Sequence, residues 1–394
     1  MSELGYWLWL SSAPVSYKAK AALAGFYGSA EEAFLAPPGE YKTLRGVSEK
    51  EAAILEKRSM ERVYTIEDEC AEEGIRIITM QDALYPARLK HIYAPPTVIY
   101  VKGTLPAVDD EAAIAVIGTR TASPYGIKMA KRIGWEISLC GGIVVSGLTN
   151  GIDAAAADGV LRADGKCIGV LGGPIEGELG ELAHNVSMHG ALVTEYYPGA
   201  PIMKSNYRER NRISAGLSVG VAVIEAPAKS GALLFAAEAV EQGKEIFALP
   251  GNADALNSAG TISLLKDGAK PITCGWDIMS EFASLFPERI RRARSVVPPE
   301  KAEESVEAGR PAEKDVDNGA EAEYITLQEL TSGLNAEEKA IVSAIAPDGT
   351  HVDEIAEAAG LSASRTLSLL TVLEIKRIVF RRAGMRYYLN FAKK

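Results

Sequence analysis

The stretch from Ala112 to Asp153 limits the possible folds of this chain more than any other. The apolar run Ile114–Ile117 stops at a glycine and predicts an inner strand of a parallel sheet, buried on both faces. From Tyr125 apolar residues recur every three or four positions, which indicates an amphipathic helix. A second apolar run, Ile143–Val145, completes a β-α-β unit whose first loop is Gly118–Arg120.

The charge of this unit differs from that of the whole chain. Formal net charge is -10 over 394 residues, yet residues 112–135 hold four basic residues and no acidic one. In such units ligands bind at the carboxyl ends of strands, where backbone N–H groups and helix N-termini face an anion. Arg120 lies at that position, which suggests a ligand with phosphate groups. A solvated helix face with a loop arginine is the alternative.

The rest of the central region repeats the alternation of strand and helix. The pattern predicts an α/β fold with an extended Rossmann-like parallel sheet as its core. The predicted core strands are 114–117, 143–145, 167–171, 191–194, 219–224 and 245–248.

The two ends have different characters. Three predicted helices, 18–26, 30–35 and 49–70, form a small N-terminal module of the SAM or helix-hairpin-helix type, although the tight Gly-x-Gly hairpin of the latter is missing. The short strands 74–79 and 97–102 are expected to tie this module to the sheet edge. The predicted domains are 1–72 (helical module), 73–110 (connecting strands), 111–286 (Rossmann-like domain), 287–325 (flexible linker, rich in Glu, Lys, Ala and Pro) and 326–394 (winged helix).

A winged-helix domain follows from three helices and a two-stranded hairpin. The predicted elements are the helices 336–345, 352–359 and 362–375 and the strands 378–382 and 386–390. Arg365 is the only basic residue of the predicted recognition helix, 362–373, which is few for a reader of duplex DNA. Contact with DNA and a protein-interaction or packing role both remain open.

Several functions lack support. The N-terminus has no basic region, and nowhere do about twenty apolar residues run together. We therefore expect a cytoplasmic protein with neither a signal peptide nor a membrane span.

The chain also lacks the usual motifs of metal sites and enzymes. Four scattered cysteines and four histidines form no metal-ligand pattern. No P-loop, GxGxxG, GxSxG or HExxH motif is present, so we expect no cofactor, metal or catalytic residue. The carboxylates best placed for a cleft, without a nucleophile beside them, are Asp153, Glu195, Glu225 and Glu238.

Two further stretches indicate binding. Met203–Arg212 holds four basic residues, one acidic residue and Tyr207, and cations with a stacking ring are typical of grooves for single strands. Its arginines Arg210 and Arg212 could equally pair with Glu195 or Glu225. The second stretch, residues 225–232, follows a strand and opens a helix, which favours another cradle for an anion.

Six ordered motifs resemble the DNA-processing protein DprA (Smf) family: IGTR at 117–120, SGLTNGID at 146–153, TEYYPG at 194–199, NYRERNRISAGLS at 206–218, EAPAKSGALLFA at 225–236 and ALPG at 248–251. The resemblance extends over nearly the whole chain. It implies a non-enzymatic protein that binds single-stranded DNA, forms homodimers and assists loading of the RecA recombinase in natural transformation.

The resemblance also implies roles for residues. Arg120 would bind phosphate, Lys204 and Tyr207 would supply charge and stacking, Asn211 with Arg212 would order the loop, and glycines 118 and 147 would permit close backbone approach. The complete predicted DNA-binding set is Gly118, Thr119, Arg120, Gly147, Lys204, Asn206, Tyr207, Arg210, Asn211, Arg212, Lys229, Ser230 and Gly231.

The chain departs from the family pattern at Thr119, Ala157, 174–181 and Ile262, where the family usually has serine, histidine, a Tyr-Pro-Asn cluster and asparagine. Two other hypotheses therefore accompany the main one. In the first, a DprA-like paralogue with an altered site acts as an interaction module. In the second, the chain is a nucleotide hydrolase of the lysine-decarboxylase-like (LOG) type, although that family's PGGxGTxxE motif is absent.

Overall fold

The computed structural model describes residues 2–177, 179–292, 334–345, 350–376, 378–382 and 386–389. The chain divides into two units, residues 1–310 and 311–394. In the first unit the helices are α1 (Glu3–Ser12), α2 (Tyr17–Tyr27), α3 (Ala30–Leu35), α4 (Glu49–Leu55), α5 (Val63–Glu72), α6 (Ala87–Lys90), α7 (Pro124–Leu139), α8 (Ile152–Arg162), α9 (Glu181–His189), α10 (Asn206–Leu217), α11 (Gly231–Glu241), α12 (Ala259–Lys266) and α13 (Gly275–Met279).

Nine strands form one mixed sheet in the first unit. They are β1 (Arg76–Thr79), β2 (Val98–Gly103), β3 (Ala113–Ile117), β4 (Ile143–Ser146), β5 (Cys167–Val170), β6 (Ala191–Thr194), β7 (Gly220–Val223), β8 (Glu245–Ala248) and β9 (Lys270–Pro271). Their order is β1-β2-β6-β5-β4-β3-β7-β8-β9. The strands from β6 to β9 are parallel, whereas β1 and β2 run antiparallel at one edge.

The strand order reverses at β3. The chain runs outward from β3 through β4 and β5 to β6, and α10 then carries it back to β7 on the other side of β3. In register, Ile114 of β3 lies opposite Val144 of β4 and Gly220 of β7. Loops that follow β3 and β7 leave toward opposite faces of the sheet, which opens a crevice at their carboxyl ends. The fold therefore creates a ligand site where the predicted loops lie.

The central strand, β3, is apolar throughout because both of its faces are covered by other parts of the protein. Ile114 and Val116 belong to the core that contains α7, α8 and the helical module, and Ala113, Ala115 and Ile117 belong to the core beneath α10 and α11. A strand covered on both faces needs apolar side chains in both directions. The predicted parallel α/β core is therefore confirmed.

The helical module shares a core with the sheet. Trp7, Leu8 and Leu23 lie in the same cluster as Val98 and Tyr100 of β2, and the Ser11 hydroxyl hydrogen-bonds the Tyr100 hydroxyl at 2.8 Å. The antiparallel strands β1 and β2 thus attach the module to the sheet edge. As a result, the ranges 1–72, 73–110 and 111–286 pack as one body within the first unit.

Three details differ from the sequence predictions. The single helix expected over 49–70 is two helices, α4 and α5, because the chain turns at Arg58, whose φ of 47° is left-handed. The first residues of the expected linker, 287–292, pack against the first unit, since Ile290 is buried and the Arg291 amide donates to the Cys140 carbonyl. Its remaining residues, 293–325, lie outside the described residues. Strand β9 has only two residues and was not predicted.

The second unit has the winged-helix elements within the described residues. They are α14 (Ala336–Ser343), β10 (Thr350–His351), α15 (Val352–Ala359), α16 (Ala363–Ile375), β11 (Val379–Arg382) and β12 (Arg386–Leu389). Strand β10 pairs with β12 and adds a third strand to the expected hairpin. No helix among the described residues is long and apolar enough to cross a bilayer.

Candidate nucleic-acid interface

A cleft of about 480 Å³ lies at the carboxyl ends of β3, β4 and β7. Its lining comes from the three loops and the helix that the sequence motifs singled out. The predicted residues that it brings together are Gly118, Thr119, Arg120, Lys204, Tyr207, Arg210, Asn211, Lys229, Ser230 and Gly231. We call this site the switch-point cleft.

A cation and an aromatic ring face each other in the switch-point cleft. The Arg120 guanidinium carbon lies 5.7 Å from the ring centroid of Tyr207. Arg120 is exposed, and Tyr207 is 42% exposed, so both groups are open to a ligand. Tyr207 lies in the first turn of α10, and Arg120 ends the loop after β3. The return of the chain through α10 therefore joins two sequence motifs into one surface.

Further cations surround this pair. Lys204 and Arg208 are exposed at the start of α10, and Lys229 is exposed immediately before α11. Ser230 caps α11, its hydroxyl accepting from the Ala232 amide at 3.1 Å. Gly231 begins an eleven-residue helix whose N-terminal N–H groups and dipole favour an anion. The cleft thus combines exposed cationic side chains with a helix N-terminus.

Arg210 is a buried cation behind the cleft. It is 8% exposed, and its Nη1 donates to the carbonyls of Gly147 at 2.9 Å and Val170 at 3.2 Å. Burial lowers the pKa of Arg210, Asp153 opposes that shift, and the charge of Arg120 adds to it. The repulsion between these two guanidinium groups would be relieved by an anion bound in the cleft.

Asp153 is the carboxylate of the cleft. Burial raises its pKa, whereas the charge of Arg210 and a hydrogen bond from the Thr149 hydroxyl, at 3.1 Å, lower it. Thr149 and Asp153 close the loop after β4, where Leu148 has a left-handed φ of 51° and Gly151 one of 85°. Gly151 is required for packing as well, because a Cβ there would lie 2.4 Å from the Thr119 carbonyl oxygen.

Glu225 fixes the first loop. Its backbone carbonyl accepts from the Thr119 amide at 2.8 Å, and its carboxylate accepts from the Ser123 amide at 2.9 Å and from Asn257 Nδ2 at 3.2 Å. The sequence left open a pairing of Glu225 with Arg210 or Arg212. No such pair occurs among the described residues. Glu225 acts instead as the anchor of the loop that presents Arg120.

Three predicted site residues, Gly147, Asn206 and Arg212, do not line the cleft, and the last two are buried elsewhere in the first unit. Arg212 is 3% exposed, forms an ion pair with Glu195, and stacks on Tyr17 of the helical module with its guanidinium carbon 4.5 Å from the ring centroid. Asn206 is fully buried, and its Nδ2 donates to the Pro201 carbonyl at 3.3 Å. Neither residue lines the cleft. Both lie on sides of α10 that are turned away from the cleft, Arg212 toward Tyr17 of the helical module and Asn206 toward Pro201.

The predicted glycines serve the protein's own packing. A Cβ on Gly118 would lie 2.6 Å from Ile152 Cγ1, and a Cβ on Gly147 would lie 2.1 Å from Arg210 Nη1. At these two glycines, therefore, neighbouring side chains of the protein occupy the space that a Cβ atom would need. At Gly231, in contrast, a Cβ would meet nothing within 4 Å.

Sequence reasoning missed Arg208, Leu234 and Phe235, which also line the cleft. Helical spacing could have found Arg208, because positions 207, 208 and 211 are three or four apart and share one face of α10. Leu234 and Phe235 carry no comparable signal.

The departures from the family pattern lie outside the cleft, except for Thr119. Ala157 is fully buried in the core, and Ile262 is half-buried in α12. The Glu176 carboxylate accepts from the Gly199 amide, beyond the end of β6. Glu178 lies outside the described residues. The positions 157, 176 and 262 do not line the cleft.

Fold and site together define a doubly wound α/β protein with a cationic, ring-bearing cleft at its topological switch point. Residues 76–283 match the family model described as DNA recombination-mediator protein A, and residues 327–385 match the DprA winged helix domain. The chain therefore belongs to the DNA recombination-mediator protein A (DprA, Smf) family, and its role is that of a DNA-processing recombination mediator.

Individual proteins support this assignment. The chain is 37% identical to DNA processing protein DprA of Bacillus subtilis over 222 residues, which cover 55% of this chain and 73% of that protein. It is 34% identical to DprA of Streptococcus pneumoniae over 232 residues, 57% and 81% of the two chains. The X-ray structure of the S. pneumoniae protein superposes with a TM-score of 0.59 at 26% identity, covering 71% of this chain and 98% of that one.

Proposed function

We propose that this chain binds single-stranded DNA in the switch-point cleft. The Arg120–Tyr207 pair is the observation that carries the proposal. A guanidinium binds phosphate through charge-assisted hydrogen bonds, and a half-exposed ring beside it can stack on a base. One nucleotide offers both groups within a few ångströms of each other, so the pair matches a strand better than it matches an isolated anion.

The form of the cleft favours a single strand. Stacking on Tyr207 requires a base that is not already paired and stacked within a duplex. Lys204, Arg208 and Lys229 lie around the ring, where they can follow a backbone in more than one register. We therefore expect affinity for single strands with little dependence on sequence in this cleft.

The chain acts by binding rather than by catalysis in this proposal. Asp153 is buried and hydrogen-bonded to Thr149, and no described serine, cysteine or histidine pairs with it as nucleophile or base. We further propose, on the family likeness, that the protein works as a homodimer in the cytoplasm and loads the RecA recombinase onto bound strands during natural transformation. The departures at 157, 176 and 262 lie outside the cleft lining and only the one at Thr119 lies within it, which favours a mediator over an altered paralogue.

The test is a titration of fluorescent oligo(dT) of about twenty nucleotides at two salt concentrations, with the matched duplex as competitor. The proposal predicts salt-sensitive binding that the duplex displaces poorly. Equal displacement by duplex, or no binding at low salt, would refute it. For the RecA step, strand exchange on a strand coated with single-strand-binding protein should start earlier when this protein is added.

A further inference from the structure

A second cavity, of about 340 Å³, lies on the opposite side of α10 from the switch-point cleft. We call it the module cavity; it is bounded by residues 11–20 of the helical module, residues 95–98, residues 195–201 after β6, and α10 with Met203 before it. Like the cleft, it opens at the carboxyl end of a parallel strand, the usual position for ligands in such sheets. It shares no lining residue with the cleft.

Two residues that line the module cavity each hold a buried side-chain oxygen that has no hydrogen-bond partner among the described residues. Asn206 is fully buried, and its Oδ1 accepts no hydrogen bond, while its Nδ2 donates to the Pro201 carbonyl. Glu195 gives one carboxylate oxygen to Arg212, and its buried Oε1 accepts nothing. An unsatisfied buried acceptor costs free energy that an incoming donor recovers. The cavity is therefore suited to a ligand with N–H groups.

The charge balance argues against phosphate in the module cavity. The carboxylates of Glu195 and Glu209 both border it, and the Lys20 amine is the cation among the residues that line it. Lys20 already donates to the Ser11 carbonyl, and Glu209 accepts from the Tyr196 hydroxyl at 3.2 Å. An anionic ligand would be repelled, whereas a neutral ring with several donors would not.

The walls of the module cavity suit a flat ring. Tyr17, Tyr197 and the consecutive prolines Pro95 and Pro96 line it. The Tyr17 ring is held in place, because the Arg212 guanidinium stacks on it at 4.5 Å. Rigid aromatic and proline surfaces bind planar ligands at small entropic cost. A volume of about 340 Å³ is at the lower end of the range for small-molecule pockets.

We propose that the module cavity is a second nucleobase site, selective for a base that carries neighbouring N–H donors on one edge, as guanine does with N1–H and its 2-amino group. The side-chain amide oxygen of Asn206 and the free carboxylate oxygen of Glu195 would accept these hydrogens. Thymine has a single N–H between two carbonyl oxygens, which would face the acceptors. The base could come from a bound strand that leaves the switch-point cleft and passes around α10, since a helix is only about 10–12 Å across. For this source the inference rests on the proposed function. A free nucleoside is the other source.

The test compares oligo(dT) with the same oligonucleotide carrying guanines at several positions, and adds an independent assay of deoxyguanosine against thymidine by saturation-transfer NMR on the full chain. We expect roughly tenfold tighter binding of the guanine-bearing strand, the gain of one good base-edge contact. If deoxyguanosine alone binds while the strands do not differ, the site takes free nucleosides. No preference for guanine in either assay would overturn the proposal, even if oligo(dT) binds normally.

Two variants locate the effect. Ser12→Trp fills the module cavity from its half-buried rim and should abolish the guanine gain while leaving oligo(dT) affinity unchanged. Glu32→Trp, an exposed position in the same module outside the cavity, is the matched control and should keep the gain. Asn206→Leu keeps the number of side-chain heavy atoms but removes the acceptor, together with the Nδ2 donor to Pro201, and should reduce the gain on its own. Retention of the full gain in both Ser12→Trp and Asn206→Leu would place the guanine contact elsewhere and refute the assignment.

Discussion

The Arg120 guanidinium lies over the ring of Tyr207, 5.7 Å from its centroid, at the point where the strand order of the sheet reverses. The two residues come from different motifs and meet because α10 returns the chain across β3. Neither is buried, and neither forms an ion pair among the described residues. They are therefore available to a ligand that carries both a phosphate and a ring.

The first prediction concerns this pair. Tyr207→Ala should weaken binding of oligo(dT) by about 1–3 kcal/mol, the worth of one stacked base, whereas Tyr207→Phe should retain most of the affinity. Arg120→Ala should cost a similar amount through loss of a charge-assisted contact. Fluorescence anisotropy measures all three, with the exposed Arg45→Ala as control. Wild-type affinity in Tyr207→Ala and Arg120→Ala, with the fold intact, would rule out the cleft as the site.

The second prediction concerns salt. Four exposed cations line the cleft: Arg120, Lys204, Arg208 and Lys229. If each neutralises one phosphate, the logarithm of the binding constant should fall with the logarithm of salt concentration with a slope of about -3. Arg208→Ala should reduce the magnitude of the slope by about 0.7. A slope near zero in the wild-type chain would contradict the electrostatic account.

The third prediction separates Arg212 from the binding cations. Because Arg212 and Glu195 are buried together, Arg212→Ala would leave an unpaired buried carboxylate and should lower the free energy of unfolding by about 3–5 kcal/mol. Arg208→Ala, four residues earlier in the same helix and exposed, should change stability by less than about 0.5 kcal/mol. Denaturant unfolding compares the two. If Arg212→Ala is as stable as the wild-type chain but does not bind DNA, Arg212 belongs to the binding site and this prediction is wrong.

The fourth prediction concerns pH. Burial lowers the pKa of Lys20 from 10.5 to about 8; Arg212 adds to the lowering, and Glu195 and Glu209 oppose it. Between pH 8 and 10.5 the unfolded chain keeps this proton while the folded chain releases it, so folding stability rises with pH. The free energy of unfolding of the wild-type chain should therefore rise relative to that of Lys20→Met across that pH window. A constant difference between the two from pH 7 to 10 would show that Lys20 is not desolvated.

The fifth prediction concerns the winged helix. Arg365, the basic residue of its recognition helix, donates through Nη2 to Glu337 at 2.7 Å, and Lys376 pairs with Glu338 at 2.6 Å. These acidic partners reduce the charge available to a duplex. Affinity for nucleic acid depends on the cations that are free to contact phosphates. Deleting 326–394 should therefore change the affinity for oligo(dT) by no more than about twofold. Loss of binding in a folded truncation would show that this domain carries part of the site.

The sequence predicted the core strands well because strands buried on both faces are continuous apolar runs, as in β3 and β7. It also predicted which loops meet, since carboxyl ends of parallel strands share one edge. It could not separate exposed from buried cations within 203–212, where Arg208 faces the cleft and Arg212 the core. That distinction depends on the angle at which α10 packs. The turn at Arg58 and the two-residue strands β9 and β10 depend on tertiary contacts and leave no periodic pattern.

The most direct measurement is photo-crosslinking of an oligo(dT) strand that contains 5-iodouracil, followed by mass spectrometry of the attached peptides. The account predicts attachment at Tyr207, with further products confined to the peptides that contain 118–120 and 229–235. The yield at Tyr207 should fall in Arg120→Ala, and excess duplex should leave it unchanged. Attachment in the winged helix instead, with none at the switch-point cleft, would contradict the account.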